Sequence, residues 1–477
     1  MLVSTTHSEE MDMQVTSWMG AFFWGFLVLY GLMMYCLSPR TVTLGSFFQG
    51  EDSRGRKASP FLLTTSIFIS WIFAKSVTNA ANLGAEYGLV GGLAYATYWL
   101  SIPLCGLVIY RLRRRFGATG LVSFLTSHYG RAAALAFSAA ILIRLFNEVW
   151  SNTAVVGGYY GDTGSPAFIG SALLFTAVTL AYSLRGGLRS SILTDAAQAA
   201  IFVIALVWVL GLVLPQHSPA ELMSTSNWAM DAGVDLLLVA ALQMVSYPFH
   251  DPVLTDRGFI TEERSMVKAF TLAGLLGFVA ILAFSLIGVH ADLDGVGASG
   301  NVPAALAKTM GIGALLVMTI VMISAAGSTL DSTFSSLAKL VGRELPAMAG
   351  KDLGKKAIGI GMTTMVVFAL FGNLPMLAGT DILKATTISG TMVIGIAPVF
   401  LLHGLVTPTR LGFHLSFWTG LILGIALTLG WIPASWAIGD GKYALLLGTN
   451  LYGLMLCTAG YVFAGLLNRS GGHASRT

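Results

Sequence analysis

The stretch Ser324-Ala325-Ala326-Gly327-Ser328-Thr329-Leu330-Asp331-Ser332 lies inside a long apolar run, 312–340. Ala325, Ser328, Thr329 and Ser332 fall at i, i+3, i+4 and i+7, a spacing that predicts one helix face. That face is small and rich in hydroxyls, with the Asp331 carboxylate at its edge. Two chemistries fit it. Small residues and hydroxyls are common where membrane helices pack closely. Oxygen atoms are also the ligands a small hard cation takes. Packing accounts for the hydroxyls but not for the acid, because a polar group among hydrocarbon needs a partner or a cavity.

Other polar residues interrupt other apolar runs. Ser70 to Gly84 carries Lys75, Ser76, Thr78, Asn79 and Asn82. Asn, Ser and Thr compete with a helix for its backbone bonds, which predicts a break near Ala74–Thr78 with free carbonyls. Lys75 needs an acidic partner at that depth; Glu148, Asp331 and Asp195 are the candidates. Arg144, Asn147, Glu148 and Asn152 share one run, and Arg144 and Glu148, at i, i+4, can also pair with each other. Asp195 and Gln198 follow Gly186-Gly187 at the start of another. There Asp195 reads either as a functional acid or as an interfacial acid near a helix N-terminus. The run ending Gln243-Met244-Val245-Ser246-Tyr247-Pro248-Phe249-His250-Asp251-Pro252 contains two prolines, each removing a backbone bond, which predicts a second broken helix. No nucleophile motif accompanies His250-Asp251, so the reading is not an enzyme. The eight histidines are scattered, with no metal-ligand pair at helical spacing.

The elements that must hold these groups are set by composition. The 477 residues are 55% hydrophobic and only 10% charged, with mean hydropathy +0.75. This is an all-α polytopic membrane protein, not a soluble one. Cys36, Cys105 and Cys457 sit in apolar runs and suggest no disulfide framework. About 13 transmembrane helices are predicted, with cores at 17–37, 61–83, 90–110, 132–159, 165–184, 191–214, 234–255, 268–290, 312–338, 357–374, 383–405, 413–432 and 443–466. Alternate loops hold 22 basic residues on one side and only Lys308, Lys384 and Lys442 on the other. The basic side is cytoplasmic by the positive-inside rule, which puts the N-terminus outside and the C-terminus in the cytoplasm. The N-terminal 16 residues lack the basic start of a signal peptide, and the first apolar run is long enough to stay as an anchor. A plasma membrane location, the inner membrane in bacteria, is expected. The first helix and the last two read as peripheral or plain packing helices. No loop is long enough to bury a soluble core.

The interrupted helices open two sets of five spans, 61–214 and 234–405, and enter from opposite sides. That is an inverted repeat, and broken helices at matching positions point to a substrate site near the midplane of a secondary transporter. The chain then divides into 1–60, a first repeat 61–214, a second repeat 215–405 and two C-terminal helices with a tail, 406–477.

At these residues the chain resembles the sodium:solute symporter family, which includes bacterial proline, sialic acid and sugar symporters. Gly186-Gly187-Leu188 through Thr194-Asp195 and Gln198 is similar to the family's Gly-Gly-x(5–6)-Thr-Asp-x-x-Gln signature. Ala325-x-x-Ser328-Thr329-Leu330 resembles its sodium motif, and Thr329-Leu330-Asp331-Ser332 a variant of it. Asp251-Pro252 with Arg257, and Gly395-x-Ala397-Pro398-Val399, also fit family patterns.

The resemblance implies two inverted five-helix repeats (LeuT-like), each with a broken first helix. It implies a sodium site of backbone carbonyls from Ala74, Val77 and Ala325 and the hydroxyls of Ser328 and Thr329. Asp195, Ser332 and Asp331 would form a second sodium site or ion exit. Lys75, Ser76, Asn147, Glu148, Tyr247 and Asp251 would face the solute. The implied function is sodium-coupled symport of a small polar solute, an amino-acid-like molecule, carboxylate or other zwitterion. No cofactor is expected beyond the coupling ion, and no partner beyond the solute, sodium and the bilayer. Lys75 departs from the family pattern: its ammonium could take the place of sodium in a proton-coupled transporter of the same fold, or bind an anionic solute. A channel or sensor on this scaffold is a separate alternative.

Overall fold

The computed structural model describes residues 21–39, 42–296, 300–378 and 389–474. The acidic N-terminal segment, Arg40, Lys384, Arg476 and the start of the run 383–405 lie outside the described residues. Within them the chain is helical, 81% overall, with no strand.

The helices are α1 (Ala21–Leu37), α2 (Leu44–Gln49), α3 (Pro60–Ser70), α4 (Ala74–Ala96), α5 (Ser101–Phe116), α6 (Leu121–Tyr129) and α7 (Arg131–Tyr160). There follow α8 (Pro166–Gly186), α9 (Leu188–Val213), α10 (Pro219–Ser224), α11 (Val234–Gln243), α12 (Pro252–Thr255) and α13 (Glu263–Leu293). The chain continues through α14 (Val302–Thr309), α15 (Ile312–Lys339), α16 (Leu345–Met348) and α17 (Lys356–Phe371). It ends with α18 (Ile396–Leu401), α19 (Arg410–Thr428) and α20 (Ala444–Ala474).

Local chemistry sets many of the ends. Ser59 and Ser165 cap α3 and α8 with their hydroxyls, each followed by a proline that needs no N–H partner. Gly187 joins α8 to α9 without a loop: its φ of 54° suits glycine, and a side chain there would strike Phe47.

Nine helical stretches among the described residues are long and apolar enough to cross a membrane, fewer than the 13 expected. Part of the difference has a geometric cause. The stretch Ala74–Phe116 counts once, yet Gly88 breaks it with φ 62° and ψ −145°. Two other expected spans are short because they are interrupted, α3 before α4 and α11 before α12. Large apolar side chains such as Ile204, Val207 and Val279 face outward, more than 60% exposed, a surface that suits a bilayer. This is a multi-pass membrane protein.

The first interruption is Trp71-Ile72-Phe73, three residues upstream of the expected place. Phe73 is extended (φ −69°, ψ 143°), and Ala74 already begins α4. The hydroxyls and amides of 76–82 therefore sit in a helix. Asn82 finds a tertiary partner, accepting from Val302 N at 3.0 Å, while Thr78 bonds back to the Ala74 carbonyl of its own helix. The second interruption is where the prolines predict it: α11 stops at Gln243, a 3₁₀ turn covers Tyr247–His250, and Asp251 caps α12.

Helix α4 packs along α13. A side chain on Gly84 would strike the Ser285 carbonyl, and one on Gly288 the Ala81 carbonyl, so these glycines let the backbones touch. α1 is not merely peripheral, because Tyr30 is buried against Gly327 and accepts from Gln198 Nε2 at 2.7 Å. Nor is α20 a plain packing helix, since Asn450 bonds Gln243 at 3.1 Å and Thr391 at 3.0 Å.

Candidate functional site

The two interruptions bring four buried charges together. Lys75 is the second residue of α4, where the helix dipole disfavours a cation, so helix stability does not explain it. Its Nζ lies 2.6 Å from Glu148 Oε1 and 3.2 Å from Ser151 Oγ. Of the three acids considered for Lys75, Glu148 is the one placed there. Glu148 also meets Arg144 one turn away, so the i, i+4 pair and the tertiary pair coexist. Arg144 Nη2 reaches Asp251 Oδ2 at 3.0 Å. All four side chains are at most 1% exposed. The tetrad is electrically balanced, two cations against two anions.

Neutral groups complete it. Asn152 Nδ2 donates to Glu148 Oε2 at 2.9 Å, while its Oδ1 accepts from Ala74 N at 3.1 Å, tying α7 to the first residue after the break. Trp71 Nε1 donates to Asp251 Oδ2 at 2.9 Å. Asp251 Oδ1 accepts from Val253 N at 3.0 Å and so caps α12. Asn147 is half-buried beside this face, and Asn152, rather than Asn147, holds Glu148.

Aromatic rings close over the charges. Trp71, Phe73, Tyr95, Tyr98, Trp99 and Tyr247 line a cavity with Ser76. Its volume is only 20 Å³, room for about one water. Ser76 accepts from Tyr95 OH at 3.3 Å. The Lys75 ammonium lies 5.2 Å from the Phe73 ring centre, and the Arg144 guanidinium 5.4 Å from that of Tyr247, within cation–π range. A solute larger than water enters only if these rings and charges part. Two buried ring nitrogens make no hydrogen bond, Trp99 Nε1 and His250 Nε2; the other His250 nitrogen, Nδ1, donates to the Tyr247 carbonyl at 2.5 Å.

A second constellation lies on the other side of the first break, between α3, α9 and α15. Thr329 Oγ1 donates to Ala325 O at 3.1 Å and lies 3.3 Å from Ser70 O. Ser328 Oγ donates to Asp195 Oδ1 at 2.5 Å and lies 3.3 Å from Ser70 Oγ. Carbonyls and hydroxyls thus meet where α3 ends, the donor set a hard cation takes. The carbonyl before the break that meets Thr329 belongs to Ser70, not to Ala74 or Val77. Ala74 O is occupied by Thr78 Oγ1 at 3.2 Å, and Val77 lies one turn inside α4.

Asp195 is fully buried. Its Oδ2 accepts from Ser66 at 2.5 Å and Ser70 at 3.1 Å and pairs with Arg257 at 3.0 Å. Arg257 Nη2 also reaches Ser332 Oγ at 2.7 Å, Ser70 Oγ at 3.0 Å and Ser191 Oγ at 3.3 Å, while its Nε donates to Ser66 Oγ at 2.7 Å. The guanidinium is a tethered cation inside an oxygen cage. Asp331 lies beside it, accepting from Thr194 Oγ1 at 2.8 Å and from Ser332 Oγ at 3.3 Å.

Sequence reasoning did not anticipate Ser66, Ser70, Ser191 or Trp71 at these sites. A signal existed for three of them: Ser66 and Ser70 are i, i+4 on the half-helix before the break, and Ser191 precedes Asp195 by one turn. A wider cavity of 490 Å³ lies apart from both constellations, where Lys339 meets Asp256 at 2.5 Å and Glu344 at 3.2 Å.

Comparison with known proteins agrees with this geometry. The model of the sodium:solute symporter family matches residues 53–255, and the chain resembles that family. It is 24% identical over 187 residues to the sodium/pantothenate symporter of Escherichia coli K12, 39% of each chain. It is 23% identical over 227 residues to the urea-proton symporter DUR3 of Oryza sativa subsp. japonica, 45% of this chain and 31% of that protein. The matched part is thus well under half the length of either relative. Among solved structures, a Na+-coupled sialic acid symporter in a substrate-bound outward-open state superposes with a TM-score of 0.72 at 14% identity. That match covers 94% of this chain and 97% of the other. Mhp1, a nucleobase-cation-symport-1 family transporter in a closed conformation, gives 0.54 at 13% identity over 89% and 94%. These likenesses establish the fold.

Proposed function

We propose, from the resemblance to the sodium:solute symporter family, that this chain is a secondary active transporter that couples sodium to movement of a small polar solute. One observation carries the reading: a buried oxygen set at Ser70, Ala325, Ser328 and Thr329 adjoins a broken helix whose next turn bears a buried charge tetrad. In this reading sodium binds between the end of α3 and α15. Its charge draws α15 and Asp195 onto the break, which fixes Lys75 and the rings around the solute. The repeats 61–214 and 215–405 rock against each other to expose the site alternately.

The tetrad also supports a solute class. A zwitterion can exchange an internal ion pair for pairs of its own and leave no buried charge uncompensated, and a carboxylate can do so when the co-transported cation balances its extra charge. A sugar cannot. Lys75, Glu148, Arg144 and Asp251 would make the charged contacts, Tyr247 and Ser76 the wall. Asp195, Ser332 and Asp331 would line the route by which the ion leaves, with Arg257 as a built-in counter-charge.

Ligand binding to the folded state alone stabilises it, by about 2.7 kcal/mol at a hundred times Kd. Sodium therefore raises the thermal midpoint of the purified protein above that in equimolar potassium or choline, and Thr329→Ala removes most of the difference. Equal protection by sodium and potassium in the unaltered protein sinks the ion site. A second reading keeps the fold and couples to protons through Lys75 and Glu148, whose contact lies at the break itself; one matched relative is named as a proton symporter. Uptake of labelled amino acids and carboxylates into proteoliposomes separates the readings. A sodium gradient drives uptake in the first, and a pH gradient without sodium in the second.

A further inference from the structure

One group of metal-ligating side chains takes no part in either constellation. His290 and Asp294, at i and i+4, project from one face at the end of α13. His217 lies between α9 and α10, and packing of α10 against α13 brings it over that face. His217 Nε2 is 3.0 Å from Asp294 Oδ1, and His290 Nε2 is 3.2 Å from Asp294 Oδ2. The imidazoles stand edge to face with centres 4.9 Å apart. One ligand atom from each of the three residues lies within 4.8 Å of the others.

A separate observation points to a ligand. His290 is completely buried, and neither of its ring nitrogens makes a hydrogen bond. An unmet buried polar atom costs about 1–3 kcal/mol, so a histidine left this way inside an apolar helix end needs a reason. Its Nε2 faces the Asp294 carboxylate without hydrogen-bond geometry, as does a ligand turned toward a shared point.

We propose that His217, His290 and Asp294 form a binding site for a zinc-class divalent transition-metal ion. Neutral imidazole nitrogen is the commonest metal ligand in proteins. Two imidazoles and a carboxylate suit zinc, whereas calcium and magnesium take oxygen almost exclusively. Ligand atoms about 2.1 Å from a tetrahedral zinc stand about 3.4 Å from one another, close to the two distances here. Asp294 is 39% exposed, which leaves a side open to water for the fourth position. Behind His217, Glu221 Oε2 lies 4.0 Å from Nδ1, beyond hydrogen-bond reach, and accepts instead from Ser218 N at 2.7 Å. The site joins the segment after α9 to the end of α13. α13 is the helix against which broken α4 packs, so a bound ion would staple the two halves of the fold at the end opposite the basic loops.

Purified full-length protein, stripped with EDTA and dialysed, is titrated calorimetrically with zinc chloride and spectroscopically with cobalt chloride. About one zinc per chain and the visible bands of tetrahedral cobalt are expected, with magnesium and calcium giving neither. His217→Ala, at a partly exposed position, abolishes both signals while leaving the thermal midpoint of the metal-free protein unchanged. His290→Asn abolishes them too, and its folding is checked by the same thermal scan. Absence of zinc binding to the unaltered protein overturns the proposal. So does binding that survives in both His217→Ala and Asp294→Ala, which would mean an adventitious ion only.

Discussion

Lys75→Met and Glu148→Gln each destabilise the protein by about 3–5 kcal/mol, and the double variant recovers most of that loss without recovering transport. The expectation rests on the charge tetrad. Removing Lys75 alone leaves Arg144 facing two carboxylates, a net buried negative charge. Removing the Glu148 carboxylate alone leaves Lys75 and Arg144 sharing Asp251. Glu148 serves two cations, so Glu148→Gln is the worse single variant. The double variant keeps Arg144 paired with Asp251 at 3.0 Å and is balanced again. Thermal or denaturant unfolding in detergent supplies the double-mutant cycle. A double variant no more stable than the worse single shows that Lys75 and Glu148 are not energetically coupled, whatever their distance. A recovered fold with sodium-driven uptake intact would instead remove both from the solute site.

Arg257→Met produces the second large effect. Its guanidinium is Asp195's only cationic contact among the described residues, so its loss strands a buried carboxylate at a cost of about 3–5 kcal/mol. Sodium at Ser328 and Thr329 would then be the nearest available counter-ion. The difference in thermal midpoint between sodium and choline is therefore larger in Arg257→Met than in the unaltered protein. Asp195→Asn removes the charge itself. It lowers sodium-driven turnover while leaving solute binding nearly intact, and Arg257→Met/Asp195→Asn regains stability over either single. A sodium effect of unchanged size in Arg257→Met means that arginine and ion do not share Asp195. Normal turnover in Asp195→Asn makes this acid a structural residue.

Much of the protein was legible in one dimension because the relevant physics is local. Apolar runs of bilayer length mark a membrane protein wherever they occur. Proline removes a donor at its own position, so the second interruption falls at 244–251 as predicted. The hydroxyl face of α15 follows from helical period alone, and it faces Ser70 and Asp195 as a single surface. A lysine in the middle of an apolar run needs an acid, and few acids lay at similar depth.

Only the tertiary structure decided the rest, because partners distant in sequence meet through packing and not through spacing. The first break has no proline to mark it. It falls at Trp71-Ile72-Phe73, since Asn152 on another helix accepts the first amide of α4 and stabilises a start at Ala74. That shift of three residues hands the carbonyl at the proposed ion site to Ser70. Arg257 sits at the end of a loop in sequence, yet the folded chain buries it among oxygens from α3, α9 and α15. His217 and His290 are 73 positions apart, so no helical spacing could pair them; the reading that the histidines form no metal-ligand pair at helical spacing passed over His290 and Asp294, which stand at i, i+4. Sequence determined which groups were costly to bury; packing determined which of them bear that cost together.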